Sequence, residues 1–268
     1  MSQYLLIIKA EWLMFLQEIK YYWINTVFYS ITTLLLFLGI FYTFQQSDPT
    51  PDAIMSLLIG VLLWHVRTGA LSYLTMAFED EAKMGTLEQI MMSRGKITEI
   101  FLIKAFITVI FTSIKCLVFF VICAYIFGVA EHIFSYGLMW LAIAAIGVIG
   151  IIGFIGLGFG LAGLTLIYKR TQSLPGVLSY VFLFFSGTVV TIEALPPLIQ
   201  HFAHILPITW TISVLRKIVV NHESIATIIA QKDTMYMIMA NVGALIFGII
   251  AFNVLVNKAK AMGKVGHY

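Results

Sequence analysis

The chain has 268 residues, of which 60% are hydrophobic and only 11% are charged, with a mean hydropathy of +0.97. A soluble domain usually carries about 25% charged residues, so this composition excludes a soluble protein and predicts an integral membrane protein. The formal charge of +3 is small and dispersed along the chain, which argues against a nucleic-acid partner.

The first 23 residues predict an amphipathic helix at the cytoplasmic membrane surface. Apolar side chains such as Trp12 and Phe15 recur at steps of three and four residues, with Lys9, Glu11 and Lys20 between them. Two acids and two lysines in this segment argue against its immersion in hydrocarbon. The alternative is that it only extends the first span.

Six apolar segments are long enough to cross a hydrocarbon core of about 30 Å, which takes roughly 20 helical residues. They are residues 24–44, 54–77, 105–127, 134–167, 174–192 and 235–256. They predict an all-α fold with six transmembrane helices, forming a single transmembrane domain over residues 1–268.

A seventh apolar segment, residues 194–215, has Pro196 and Pro197 near its start and is interrupted at Pro207. Proline removes a backbone donor and breaks a helix, so a straight span is not expected here. The outer region 193–233 is therefore predicted to hold a re-entrant or interfacial helical hairpin before the last span.

The distribution of cations orients the six spans. With both termini cytoplasmic, eleven of the 16 Lys and Arg lie inside, three lie outside, and Arg67 and Lys115 remain within spans. The inner set is Lys9, Lys20, Lys83, Arg94, Lys96, Lys104, Lys169, Arg170, Lys258, Lys260 and Lys264, and the outer set is Arg216, Lys217 and Lys232. The pattern predicts a multi-pass protein of the plasma membrane, expected in a bacterium.

The loop of residues 79–97, between the second and third spans, is the most polar passage in the first half of the chain. Thr86 and Gln89 fit a capping box, with the Thr hydroxyl accepting from the Gln89 amide, and Gly85 lets the chain turn just before it. Gly95, behind Arg94, is a suitable residue to end the helix. The spacing predicts a rigid helix of about two turns, roughly 10 Å long. Its apolar face carries Leu87, Ile90 and Met91.

An acidic run followed by Gly-Thr-Leu-Glu, between the second and third of six spans, resembles the signature of ATP-binding-cassette (ABC) type-2 exporter permeases. Here it extends from Glu79 through Glu88 to Ile90. A Pro-containing outer segment that closes on Leu215 and Arg216 resembles the same family. The resemblance covers nearly the whole chain and is nearest to the drug and antibiotic exporter branch.

The resemblance implies that the short helix is a coupling helix that docks into a groove on a separate ATPase. The residues implied in coupling to the ATPase are Glu79, Glu81, Gly85, Thr86, Leu87, Glu88, Ile90 and Met91. The residues implied in the outer hairpin are Pro196, Pro197, Pro207 and Arg216. Two copies of a cytoplasmic ABC ATPase, which hold ATP and Mg, and a second permease chain would complete a homodimeric or heterodimeric complex in membrane lipid. The implied cargo is a hydrophobic or amphiphilic drug, antibiotic or peptide, and the alternative is a lipid-linked glycan or a lipid.

The chain itself is not expected to be an enzyme, to bind a cofactor or to hold a catalytic residue. Gly95-Lys96 is not a phosphate-binding loop, because that motif needs Gly where Ile90 stands and Ser or Thr where Ile97 stands. The run Gly158-Phe-Gly160-Leu-Ala-Gly163 has dinucleotide-motif spacing but lies inside an apolar span. Close helix packing is therefore the better interpretation of these glycines.

Arg67 and Lys115 are notable because a charge inside a bilayer is costly and usually faces protein or water. They either line the translocation path and meet an anionic group, or they bond to backbone carbonyls or snorkel toward the interface. His201 and His204 have no third ligand nearby, so no metal site is expected.

Two other classes of function remain as alternatives to the permease. A channel or secondary transporter also needs polar residues within its spans, but inverted repeats are not apparent in this sequence. An intramembrane hydrolase would need a nucleophile and a base, for which Ser186 and His65 are the only pairing worth naming.

Overall fold

The computed structural model describes residues 3–45, 50–93, 95–135, 137, 139–168, 171, 173–189 and 192–263. Within these ranges the secondary structure is helical, without strands. The helices are α1 (Gln3–Tyr21), α2 (Trp23–Gln45), α3 (Pro51–Lys83), α4 (Leu87–Met92), α5 (Ile97–Ile126), α6 (Ala130–Ser135), α7 (Met139–Tyr168), α8 (Ser173–Phe185), α9 (Pro197–Ile205), α10 (Pro207–Val219), α11 (Ile225–Ile229) and α12 (Lys232–Ala261). Arg94, Lys169, Arg170 and Lys264 lie outside the described residues.

Five helices, α2, α3, α5, α7 and α12, are long and apolar enough to cross a membrane. They confirm five of the six predicted spans. The fifth predicted span, residues 174–192, is shorter than expected, because α8 ends at Phe185 after 13 residues, about 20 Å of helix. The chain turns there because Gly187 adopts a left-handed backbone with φ of 84°, which suits glycine at a helix end.

Helix α3 lies at the centre of the bundle. In its most apolar window 78% of the residues are buried, compared with 17% in α2 and in α12. The Trp64 indole donates to the Ser179 carbonyl oxygen over 2.7 Å and so ties α3 to α8. Motion of α3 would therefore be transmitted to several neighbouring helices.

The glycines of α7 allow its close packing, as predicted. A Cβ added at Gly156 would overlap the backbone of Leu245 on α12, and one added at Gly248 would overlap the carbonyl group of Gly156. Gly150 and Gly153, on the same helix, leave room for Arg67 of α3 and Asn241 of α12. The backbones of α7 and α12 thus approach each other without intervening side chains.

The predicted break at Pro207 is confirmed: α9 and α10 form a bent pair of helices whose axes differ by 95°. Such a pair is either a broken span or a re-entrant hairpin, and we keep the name hairpin for it. Pro197 and Pro207 begin the two helices, as suits proline in a first turn. Across the bend the Thr209 hydroxyl donates to the Ala203 carbonyl over 2.6 Å, and the Trp210 indole donates to the His204 carbonyl over 3.0 Å.

Contacts with α12 show how α10 is placed. Lys217, near the end of α10, pairs with Asp233 at 2.6 Å, and Asn241 lies 3.4 Å from the hydroxyl of Thr211 near its beginning. Asp233 and Asn241 are eight residues apart, about 12 Å along α12. Asp52 at the start of α3 lies 3.2 Å from His222, which follows α10. The start of α3, the end of α10 and the start of α12 therefore lie on the same side of the membrane, opposite α4. We call that side the hairpin side and the other the loop side.

Candidate functional site

The candidate site is the polar loop that holds α4 on the loop side of the bundle. Helix α3 ends at Lys83, and Gly85 then takes a left-handed backbone with φ of 72°, which confirms the predicted turn. The amide of Gly85 donates back to Ala82 at 3.3 Å and that of Thr86 to Glu81 at 3.1 Å. These bonds fix the direction in which the chain leaves α3.

The predicted capping box is wrong. The Thr86 side chain makes no capping bond, and its hydroxyl donates to the Glu81 carboxylate instead. A charged acceptor binds a hydroxyl proton more strongly than a neutral one, which explains why the Thr86 hydroxyl turns toward α3. Helix α4 is six residues long, about 9 Å, close to the predicted length.

Helix α4 ends two residues earlier than the sequence suggests. Its last residue is Met92, and Ser93 follows in an extended conformation. The Ser93 hydroxyl donates to the Ile90 carbonyl over 2.8 Å. The helix therefore stops at Ser93, before Gly95, because a serine side chain satisfies one of its terminal carbonyl groups.

The apolar face of α4 packs against the chain itself. Leu87 is 1% exposed and joins a cluster that includes Ala82 and Phe101, and Ile90 and Met91 pack on the same cluster. On the other side Glu88 and Gln89 are exposed, as is Met92 at 79%. A partner can therefore reach α4 through these last three side chains.

A buried ion-pair cluster holds the loop in place. The Lys104 ammonium of α5 lies 2.6 Å from the Glu81 carboxylate of α3 and 3.5 Å from the Glu11 carboxylate of α1. Together with Thr86 we call these residues the inner cluster. Burial raises the pKa of the Glu11 carboxyl, and Lys104 opposes that rise.

The sequence did not single out Lys104, which counted there only as one of the inner cations. The available signal was its position next to the predicted start of the third span at residue 105, where a buried lysine needs an acidic partner. Around the inner cluster α1 also packs on α5, since Phe15 stacks on Phe111 with ring centroids 4.1 Å apart. Helices α1 and α2 are separate, divided at Tyr22.

Glu79 lies apart from the inner cluster. Its side chain is 2% exposed and pairs with Lys83 at 2.8 Å, one helical turn away. Its second carboxylate oxygen has no hydrogen-bond partner within the described part of the chain. Glu79 therefore helps to fix the end of α3 and is not on the surface that a partner would meet.

The two cations within the spans have different surroundings. Arg67 is completely buried with its guanidinium against Gly150, and its three nitrogens find no hydrogen-bond partner among the described residues. Lys115 is half-buried, with its ammonium 5.2 Å from the centre of the Tyr29 ring. In this conformation Arg67 does not line an open path, whereas Lys115 reaches a surface.

The hairpin residues lie toward the hairpin side of the bundle, with Pro207 beside Asn241, nine residues or about 13 Å from the start of α12. Pro196 precedes α9, and Arg216 is half-buried in the last turn of α10. His201 lies 2.7 Å from the carbonyl oxygen of Pro197 through its Nδ1 atom. The structure thus separates the loop side, with α4, from the hairpin side by the length of α3.

Five crossing-length helices, among them the glycine-rich α7, with a short helix held on one side, define a multi-pass membrane protein. Comparison with protein families identifies which one, because residues 2–220, or 219 of the 268, match the family of ABC-2 type transporters. The chain belongs to that family, whose members work with a cytoplasmic ABC ATPase. Comparison with curated proteins gives no match.

Proposed function

We propose that this chain is the permease subunit of an ABC exporter, moving hydrophobic or amphiphilic compounds outward with ATP hydrolysed by a separate ATPase. The observation that carries the proposal is the attachment of α4: its apolar face is anchored in the chain while Glu88, Gln89 and Met92 project outward. A helix held in this way can transmit force from a partner. Drugs, antibiotics and peptides are the proposed cargo.

The inner cluster supports a route by which ATPase motion reaches the spans. A push on α4 passes through Leu87 into the cluster around Phe101, and through Thr86 and Glu81 to Lys104. Helices α3, α5 and α1 then move as one body, because Lys104 bonds to carboxylates on both neighbours. Such rigid-body rocking opens the path alternately to each side.

Two permease chains, identical or sister chains, would enclose the path and bind two ATPase copies. Symmetric pairs are the commonest assembly, and one chain offers one coupling helix to each ATPase. Because α7 ends on the loop side and α12 begins on the hairpin side, the segment from α8 to α10 makes the sixth crossing. Both termini and α4 are then cytoplasmic, and the α9–α10 hairpin opens outward. The excess of cations near the loop side supports this orientation in the plasma membrane.

The test is copurification with the ATPase, followed by substrate-stimulated ATP turnover of the reconstituted complex. The double variant Glu88→Ala with Met92→Ala changes only exposed side chains of α4, and it should lose ATPase association while retaining its thermal stability. Lys258→Gln, an exposed change near the end of α12, is the matched control and should associate normally. Full association and transport by the α4 double variant would refute the coupling role.

The cargo class is tested with the same complex. Amphiphilic drugs and peptides should raise ATP turnover in proteoliposomes. A response to lipid-linked glycans alone would favour the alternative cargo. Transport that persists without any ATPase subunit would instead indicate a channel or a secondary transporter.

A further inference from the structure

Lys115 lies near the middle of the predicted third span, residues 105–127. It lies 11 residues, about 16 Å, from the hairpin-side end of α5 and 18 residues, about 27 Å, from the loop-side end. A lysine side chain extends only about 6 Å, so its ammonium reaches neither interface. The Lys115 side chain is half-exposed, but it cannot contact the water at either face of the membrane.

The described residues give Lys115 no counterion. Its ammonium lies 5.2 Å from the centre of the Tyr29 ring of α2, and no carboxylate of the described chain forms an ion pair with it. A ring quadrupole compensates only part of a desolvated positive charge. Exposure of the Lys115 ammonium to hydrocarbon would be strongly disfavoured, so the ammonium faces protein or a water-filled space.

The membrane-crossing helices of a second copy would not supply the missing negative charge. All acidic residues of these helices lie near their ends, at Asp52, Glu79, Asp80, Glu81, Glu99 and Asp233. No Asp or Glu of these helices therefore lies at the depth of Lys115. A negatively charged ligand is the counterion that the site would then take.

Tyr29 of α2 borders this position. It is 55% exposed, its ring lies 5.9 Å from that of His65 on α3, and Tyr180 of α8 lies near it. Val177 and Phe184 are exposed on the same face of α8 as Tyr180. We call Tyr29, Lys115 and Tyr180 the Lys115 surface; the buried His65 packs against Tyr29.

We infer that the Lys115 surface faces the translocation path and binds the anionic group of an amphiphilic cargo, whose apolar body lies along the aromatic residues. The inference rests on the proposed function and narrows its cargo to compounds that carry a carboxylate, sulfate or phosphate ester. An ammonium without a carboxylate partner in a site of low dielectric favours a negative ligand. The exposed Tyr29, Tyr180 and Phe184 rings offer apolar contact beside it.

The test uses two probes that differ only in charge: a long-chain fatty acid with a fluorophore at its far end, and the methyl ester of the same molecule. Both are titrated by fluorescence anisotropy against the permease–ATPase complex in nanodiscs of zwitterionic lipid. Wild-type protein should bind the carboxylate more tightly than the ester. Lys115→Gln should weaken carboxylate binding by about tenfold or more and change ester binding by less than about twofold.

Two further variants control the comparison. Lys115→Arg keeps the charge and should retain most of the preference for the carboxylate, which also shows that the site tolerates substitution. Lys232→Gln removes an exposed cation at the start of α12 and should leave both affinities unchanged. ATP-driven accumulation of the carboxylate in inverted vesicles then separates a cargo from a resident anionic lipid, which would bind without being carried.

The inference is overturned if wild-type protein binds neither probe or both equally, if Lys115→Gln behaves as wild type, or if the bound carboxylate is not transported. ATPase association and basal ATP turnover are measured on the same samples. A complex that associates and hydrolyses ATP but ignores the carboxylate refutes only this inference. A wild-type chain that fails to associate with the ATPase refutes the proposed function itself.

Discussion

The Lys104 ammonium lies 2.6 Å from the Glu81 carboxylate, and this ion pair joins α5 to the loop-side end of α3. Lys104 is 7% exposed and Glu81 is 13% exposed, so the pair is shielded from water on both sides. Glu11 extends the contact to α1 at 3.5 Å. One lysine thus links three helices next to the loop that carries α4.

Lys104→Gln should therefore destabilise the loop side of the bundle. Removing the cation leaves two largely buried carboxylates facing each other, and breaking such a pair costs about 3 kcal/mol. We expect a lower midpoint of thermal unfolding in detergent, together with weaker ATPase association. Lys104→Arg keeps the positive charge and should retain most of the thermal stability and of the ATPase association of the wild type.

The matched control for this prediction is Lys96→Gln. Lys96 is 83% exposed and its ammonium lies 3.9 Å from Glu99, so its loss should change the free energy of unfolding by less than about 0.5 kcal/mol. Equal effects of the Lys96 and Lys104 variants on thermal unfolding would contradict the role given to the inner cluster.

Leu87→Ala and Met92→Ala should separate anchoring from docking. Leu87 is buried, so its truncation should cost about 2 kcal/mol or more and loosen α4 from the bundle. Met92 is 79% exposed, so its truncation should leave stability within about 0.5 kcal/mol while weakening ATPase binding. Thermal unfolding and copurification, measured on both variants, check the two effects independently. A Met92 variant with full ATPase affinity would place the docking surface elsewhere.

Gly248→Ala should disturb the contact between α7 and α12. The new Cβ would overlap the backbone carbonyl of Gly156, which cannot rotate away, so the helices must separate at a cost of about 3 kcal/mol. Gly243, on the same helix, has open space where a Cβ would stand. Gly243→Ala should therefore stabilise the chain by about 0.5 kcal/mol through its higher helix propensity. Differential scanning fluorimetry of both variants would detect the opposite signs.

The orientation of the bundle can be checked by labelling single cysteines with a membrane-impermeant maleimide. The native Cys116 and Cys123 are buried, so they should contribute little background. Asn221→Cys, on the hairpin side, should react in intact cells, and Met92→Cys should react only after permeabilisation. The reverse pattern would place α4 outside the cell and contradict the proposed coupling role.

Features that depend on local spacing could be predicted from the sequence. Five spans follow from the length of their apolar runs, and the bend at Pro207 follows from the donor that proline lacks. The turn at Gly85 needs a left-handed backbone, which glycine adopts without strain. The early end of α8 had such a signal in Gly187, but the apolar residues after it concealed the break.

Features that depend on contacts between distant residues were decided by the tertiary structure. The capping box at Thr86 was a sound local pattern. The Thr86 hydroxyl instead donates to the Glu81 carboxylate of α3, because a bond to a charged acceptor is stronger than the capping bond from the Gln89 amide. The link between Lys104 and Glu11 spans 93 positions of the chain, and no local pattern predicts it.

The sequence by itself determined the membrane class, most of the spans, the broken hairpin and the family resemblance, because apolar run length and backbone restrictions act locally. Only the tertiary structure decided that the apolar face of α4 is anchored in its own bundle, that Arg67 is buried and that Lys115 reaches a surface. A side chain's burial depends on which helices surround it. That arrangement follows from the packing of the whole bundle, in which glycines of α7 let α3 and α12 pack closely against α7.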